Sequence, residues 1–438
     1  MIHVRPIAAR RRMAGLSLIE MMIALVMALI VAAGIITVFA STSSSNKVQQ
    51  QMAALQEEGR FAIHSLRADL ANANGTYCSN TGGNAGLTTS GLYLDALRSP
   101  TVYAKTAIPL NDSTVTLPAP SGAYSLPSSL FMRGYQCDTS NCTPTGLASL
   151  VASGVPAMGT ALGSRVKGAD VLTIRYLTPG SGWAIVPSGN PGTTLDAPVS
   201  ATVTQINLVQ MAGEPAVNTF TGTLAMLADC SNAQVFTVSG AGSATLQPNN
   251  NYASPLDIST GAAPRVFDFT KDFQTVTYFL EVVDAGNGHT TGQLVRRFNG
   301  TNQPLVTGVE RLDFLYGIIN ANGNTEFLTA DQVDAGTDAS GASIPCPPDV
   351  ATPGGMPATG CLWRAVQTIE VHILMDGQTP LYTLTPNEMK YIYTPDSASA
   401  TPIPPTAHAI QPNADQGFPN PLLRREFTTL VALRNFNP

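Results

Sequence analysis

The stretch MAGLSLIEMMIALVMALIVAAGIITVFAS near the N-terminus constrains this chain more than any other. From Met21 to Ala40 it contains no charged residue. As a helix rising about 1.5 Å per residue, such a run crosses the roughly 30 Å hydrocarbon core of a bilayer. Ahead of it stand Arg5, Arg10, Arg11 and Arg12, with no acid among them. An excess of arginine marks the cytoplasmic flank, so the remainder of the chain after Ala40 is expected outside the cytoplasm. One residue does not fit a plain membrane anchor. Glu20 sits at the very start of the apolar run, and an intramembrane carboxylate costs roughly 2.5–3.5 kcal/mol even on a lenient insertion scale.

A cleavable signal peptide would be cut after Val38-Phe39-Ala40, before Ser41, but the run is long for that purpose and continues into a helical pattern. A plain signal anchor explains the length and the arginines and leaves Glu20 without a role. The order Gly15-Leu16-Ser17-Leu18-Ile19-Glu20 resembles the cleavage motif of type IV prepilins and of the related type II secretion pseudopilins. The resemblance implies that a prepilin peptidase cuts after Gly15 on the cytoplasmic face and methylates the new amine of Leu16. Leu16 and Ser17 stand where the family usually has phenylalanine and threonine. It further implies that Glu20, the fifth mature residue, is a subunit-docking group that neutralises the terminal amine of a neighbour. A charge held in lipid is tolerable only when paired.

The helical pattern outlasts the membrane segment. Val48, Met52, Leu55, Ala62, Leu66 and Leu70 recur at spacings of three, four or seven and define one apolar face. The stripe from Met52 to Leu70 is expected to pack on the domain that follows. No proline occurs between Ile7 and Ser99, so nothing forces a break. Gly34 and Gly59 read as soft spots, each costing about 1 kcal/mol relative to alanine, and Asn74-Gly75 reads as the stop. Major pilins usually carry a helix-breaking proline within the span; Thr37 stands near that place here.

After Thr76 the pattern becomes that of strands between polar, Gly- and Pro-rich stretches. The strand candidates are DVLTIRYL, ATVTQINLV, QVFTVSG, FQTVTYFLEVV, QLVRRF, VERLDFLYGII, AVQTIEVHILM, MKYIYT and REFTTLVALRN. The stretches Asp334–Gly360 and Asp396–Leu422 read as loops too polar and Pro-rich to be core. The expected fold is α+β and pilin-like: one long N-terminal helix packed on an antiparallel β-rich domain. Its parts are a leader (1–15), a transmembrane half-helix (16–40), an outer amphipathic half (41–75) and the β-rich extracytoplasmic domain (76–438).

Only 12% of residues are charged, against 38 glycines and 32 prolines, a balance that suits an envelope protein rich in turns better than a cytosolic enzyme. Net charge is −6 with no long basic block beyond Arg10–Arg12, which gives nucleic-acid binding little support. All six cysteines (Cys78, Cys137, Cys142, Cys230, Cys346, Cys361) follow the apolar run and read as disulfides of an oxidising compartment. Six cysteines allow 15 pairings; Cys137–Cys142 and Cys346–Cys361 are the short-range choices, leaving Cys78 with Cys230. No nucleophile elbow, His-Glu-x-x-His or Walker loop occurs, and no enzyme activity, metal or cofactor is expected. His3, His64, His289, His372 and His408 are scattered, and His64 and His372 read as packed or surface residues. The loop from Asn320 to Glu326 faintly resembles a calcium loop but offers one carboxylate; an Asn-Gly hairpin turn is the better account.

Three segments narrow the family. LQEEGRFAIHSLRADLANANG, LVRRFNGTNQPLVTGVERLDFLYGI and RREFTTLVALRN resemble the helix end, the central strands and the last strand of PilW-type minor pilins. Tyr316-Gly317 closes the central segment and reads as strand packing. Ala68 and Ala71 stand where that group often has arginine, which removes charge contacts at the helix end. The stretches Asn80–Gly168 and Gln210–Ala262 resemble nothing identifiable. The resemblance implies a structural subunit that primes assembly of the type IV pilus and enters it near the tip, supporting motility, adhesion or DNA uptake. Implied partners are the prepilin peptidase, other minor pilins and the major pilin, the inner-membrane assembly platform and a tip adhesin. The alternatives are a type II secretion minor pseudopilin, usually about half this size, and a membrane-anchored adhesin.

Overall fold

The computed structural model describes residues 17–75, 85–88, 91–94, 101–103, 108–109, 116–117, 124–147, 151, 154–185, 205–220, 222–228, 233–242, 244–248, 265–286, 288–320, 322–344, 360–396 and 401–433. The chain forms two compact units, Met1–Ala53 and Ala54–Pro438. In the first, helix α1 (Leu18–Leu70) begins and is unbroken, as the absence of proline permits. Its apolar side chains from Leu18 to Phe39 are all exposed, and the helix is long and apolar enough to cross a membrane.

In the second unit the final turns of α1 enter a core. Leu55, Gly59, Ala62, Leu66, Asp69 and Leu70 are buried. The expected stripe is shorter than its periodicity suggests, because Met52 is 43% exposed. Periodicity marks a face; it does not mark where the packing partner starts. The helix ends at Leu70 and a turn follows with Asn74 at φ 60°, a left-handed conformation that asparagine tolerates. Gly59 is the clearest correction. A Cβ there would lie 2.5 Å from the ring of Phe427, so this glycine lets the last strand's Phe427 ring pack close against the helix backbone. Gly59→Ala is therefore expected to destabilise the subunit by about 1–3 kcal/mol through overpacking, read as a lower melting temperature, although alanine is the better helix former.

Two antiparallel sheets meet α1. One is built from β1 (Met132–Cys137), β2 (Cys142–Thr143), β3 (Val171–Leu177), β4 (Phe273–Gly286), β5 (His289–Phe298) and β6 (Thr301–Thr307), in the order β6-β5-β4-β3-β1-β2. The other is β8-β7-β9-β10, from β7 (Val309–Ile319), β8 (Thr325–Leu328), β9 (Thr368–Asp376) and β10 (Arg424–Ala432). Leu55, Ala62, Leu66 and Leu70 share one buried cluster with Ile174, Tyr278 and Leu294 of the first sheet and with Phe314, Ile369 and Val371 of the second. Alternation places Phe279 and Val295 on the other face of the first sheet, in a second cluster with Tyr135 and Val171. A third, eight-stranded sheet carries its own cores. In its strand Leu224–Ala228, residues 224, 226 and 228 face one cluster while 225 and 227 face another. Its one parallel contact joins Thr101–Val102 to Gln234–Val235.

VERLDFLYGII matches β7 end to end, and FQTVTYFLEVV, QLVRRF and DVLTIRYL fall within β4, β5 and one residue ahead of β3. MKYIYT is not a strand. Tyr391 makes an isolated bridge to Ile403, and Tyr391 and Tyr393 pack with Leu374. The two long loops are not devoid of core. Asp334 lies in the helix Ala330–Ala335 and accepts the indole N–H of Trp363 at 2.9 Å. In the second loop His408, Gln416, Phe418 and Leu422 are buried. The Asn320–Glu326 segment is the hairpin turn between β7 and β8, with Asn320 Oδ1 accepting the N–H groups of Asn322 and Asn324 at 3.0 and 3.1 Å. Cys137–Cys142 is a disulfide. Cys361 is also disulfide-bonded, while Cys78, Cys230 and Cys346 lie outside the described residues.

Candidate assembly site

Glu20 lies in the first turn of α1 and is exposed. The Ser17 N–H points to its Oε2 at 3.4 Å, the usual use of an acid beside the unpaired donors of a helix start. Gly15 and Leu16 fall outside the described residues. Around Glu20 the helix surface is apolar, with Leu18, Ile19, Met21, Met22 and Ile23 all exposed. A carboxylate on such a surface can accept a cation brought by a neighbouring chain. Near the position where pilin helices usually break, Thr37 Oγ1 donates to the Gly34 carbonyl at 2.8 Å and the helix continues.

The outer end of α1 is fixed by a buried charge. Arg296 on β5 donates to Asp69 from Nε to Oδ2 at 2.5 Å and from an Nη to Oδ1 at 3.1 Å. Tyr278 and Tyr176 add their hydroxyls to the same carboxylate at 2.6 and 3.3 Å. Tyr278 and Arg296 are register partners on adjacent strands, so the sheet presents both to one point. Burial and then the adjacent carboxylate push the Tyr176 hydroxyl up to about 12, and the same causes raise Tyr278. Burial opposes the charge on Arg296, and the Asp69 carboxylate more than offsets it. At the helix end, where Ala68 and Ala71 carry no charge, Asp69 makes this charge contact with Arg296. Arg296→Met would leave this carboxylate without its cation. Because the pair is partly exposed, the expected loss is about 2–3 kcal/mol, seen as a lower denaturation midpoint with an unchanged denaturant slope.

A second buried pair ties the central segment to the last strand. Arg424 on β10 donates from Nε and an Nη to Glu310 on β7 at 2.6 and 2.9 Å, with both side chains almost fully enclosed. Two-point pairing of this kind fixes orientation as well as charge. Tyr316 packs edge-on against Trp363 with centroids 4.8 Å apart. A Cβ at Gly134 on β1 would strike its hydroxyl and approach Trp363, so Tyr316 is a packing residue, as its sequence context suggests. Between Glu58 and the sheet, Gln378 Nε2 donates to Glu58 Oε2 at 2.9 Å. None of these four ionic partners is apparent from local pattern, since Asp69 and Arg296 lie 227 residues apart. The available signal was that both fall in segments resembling the same family.

Two of the histidines, His372 and His408, make structural contacts. His372 is buried with Nδ1 2.9 Å from Glu426 Oε1. His408 stacks on Tyr391 with centroids 3.9 Å apart and meets Asp396 through Nδ1 at 3.1 Å. His64 is exposed on α1.

Residues 277–435, from within β4 through β10, match the family model described as type IV pilus-assembly protein W. Residues 10–36, spanning Gly15, Leu16 and Glu20, match the prokaryotic N-terminal methylation motif. Both describe structural proteins rather than enzymes. Neither a curated protein nor a solved structure matches the chain. The methylation motif thus opens α1 and the segment matching type IV pilus-assembly protein W forms the closing strands, so that two segments of the chain match those of a PilW-type pilin.

Proposed function

We propose that this chain is a minor pilin that primes assembly of the type IV pilus and is incorporated near its tip. In this reading a prepilin peptidase removes residues 1–15 and methylates Leu16. Residues 16–40 hold the subunit in the inner membrane with the N-terminus cytoplasmic, residues 41–75 carry the helix outward, and the β-rich remainder is periplasmic until assembly. Glu20 then meets the terminal amine of a neighbouring pilin. The observation that carries the reading is the methylation motif at the start of an unbroken, exposed apolar helix with one carboxylate in its first turn. Other minor pilins, the major pilin, the inner-membrane assembly platform and a tip adhesin are the proposed partners.

The test is N-terminal mass analysis of the protein from membranes and from sheared pili. Methylated Leu16 as the first residue, in both fractions, is the expected result. An intact leader, or a cut near Ala40 with none of the protein in pili, would instead indicate a membrane-anchored or secreted binding protein.

A further inference from the structure

The hairpin of β1 and β2 is closed by Cys137–Cys142, and a buried arginine stands against the bond. Arg165 is 2% exposed. It donates from one Nη to Cys137 Sγ at 3.2 Å and from the other to Cys142 Sγ at 3.4 Å. Its remaining contact is a 3.4 Å bond to the Ala169 carbonyl, and its Nε has no hydrogen-bond partner among the described residues. Asp170 acts on it only through space, and burial pushes the guanidinium down to about 10. A buried cation without a paired anion is costly, and disulfide sulfur is a weak acceptor for it. Reduction of the bond would supply the missing anion.

We propose that Cys137–Cys142 is a redox-exchangeable disulfide, opened by a dithiol reductant of the thiol–disulfide oxidoreductase class that expels Cys137 as a thiolate held by Arg165. Access supports this order. Cys142 is half-buried and flanked by the exposed Asn141 and Thr143, whereas Cys137 is buried. The reductant's thiolate attacks Cys142 Sγ, forming a mixed disulfide, and the electron pair of the broken S–S bond stays on Cys137 Sγ. The reductant's second thiol then attacks its own sulfur in the mixed disulfide. The reductant leaves as a disulfide and Cys142 leaves as a thiol, taking up the proton. A leaving thiol of low pKa departs faster.

Other charges around Cys137 act in smaller measure. Asp170 accepts the Cys137 N–H at 2.9 Å, and burial, then Asp313, push its pKa well up, favouring the neutral acid. Asp138, held low by the N–H groups of Asn141 and Ser140, is ionised and opposes the thiolate. Tyr135, Leu147, Val155, Val171, Phe279 and Val295 enclose the sulfur in an otherwise uncharged cluster, and burial among them also opposes it. The guanidinium, in direct contact, dominates.

The test uses the full-length protein in detergent, equilibrated with mixtures of reduced and oxidised dithiothreitol, with each cysteine followed by alkylation and mass spectrometry. In the reduced wild type, the pH profile of Cys137 alkylation should fall at least one unit below the ordinary thiol value of about 8.5. Arg165→Met should lower the equilibrium constant for opening Cys137–Cys142 at least tenfold, about 30 mV, and Arg165→Lys should recover part of that. The Cys361 disulfide should respond to neither substitution. A wild-type Cys137 that titrates at or above 8.5 would overturn the proposal, and this measurement stands even where Arg165→Met fails to fold. An unchanged opening constant in folded Arg165→Met, or opening of Cys137–Cys142 only together with unfolding, would overturn it equally.

Discussion

A Gly15→Val chain is expected to keep its leader, remain in the membrane fraction and be absent from sheared pili. In the proposed reading the scissile bond follows this glycine, which lies within the matched methylation motif over residues 10–36. A residue without a Cβ lets a protease approach the backbone closely, and a β-branched side chain removes both that access and the local freedom of the bond. The consequence is larger than a retained leader. Without cleavage no terminal amine forms at Leu16, and Arg5, Arg10, Arg11 and Arg12 stay attached to the start of the helix, its cytoplasmic end in the proposed reading. Each resists withdrawal into lipid by about 2.5–3.5 kcal/mol. The uncleaved subunit thus lacks the cation that a neighbour's glutamate would meet, and carries four it cannot bring along. Intact mass from membranes, beside immunoblots of sheared pili, reads both effects. Recovery of full-length Gly15→Val from pili would sink the prepilin reading.

Strong local patterns translated into elements, and their limits came from partners far away in sequence. β7 was legible end to end because VERLDFLYGII is rich in strand-forming residues and is bounded by Gly308 ahead and Asn320 behind. MKYIYT has the same strand-forming residue types, yet among the described residues it makes only the isolated bridge from Tyr391 to Ile403. Its tyrosines serve instead to stack on His408 and to bond Asp313. The stretch from Asp396 to Leu422 looked like solvent-facing loop because polar residues outnumber apolar ones. Phe418 joins the main core regardless, and Gln416 is held there by bonds to the Lys167 N–H and the Gly159 carbonyl, both 2.9 Å. Gly59 looked weak as a helix former, and only the position of Phe427 shows why a side chain is unwelcome. In each case the residue's own propensity was read correctly and tertiary contact decided the outcome.

The candidate site divides in the same way. Glu20 stood out because a carboxylate in an apolar run contradicts its surroundings. Asp69, Glu310, Arg296 and Arg424 contradict nothing locally, since charged residues in helices and strands usually face water. Their burial emerges only when Asp69 meets β5 and Arg424 meets β7. These pairs orient the outer turns of α1 on the first sheet and tie β7 to the last strand, β10. They are structural, and substituting them should lower the amount of folded subunit before it alters any assembly step.

Glu20→Val separates those two outcomes, because Glu20 is exposed and belongs to no buried pair. If the carboxylate served only the lone subunit, valine would be an improvement. It suits lipid better, and the loss of the 3.4 Å contact from Ser17 at a helix start is worth only about 0.3–1 kcal/mol. If the carboxylate meets a neighbour's terminal amine, valine leaves that amine unpaired in a medium of low dielectric. Losing one partner of such a pair costs about 3–5 kcal/mol, equivalent to a fall of roughly two to three and a half orders of magnitude in incorporation at about 1.4 kcal/mol per decade. The expected result is a Glu20→Val subunit that is cleaved after Gly15, folded, present in membranes at the wild-type level and missing from sheared pili. Glu20→Gln should restore little, since a neutral amide cannot neutralise an ammonium group. Glu20→Asp should restore part, since it keeps the charge on a side chain one methylene shorter. Equal incorporation of Glu20→Val and wild type would show that no docking charge operates at this position.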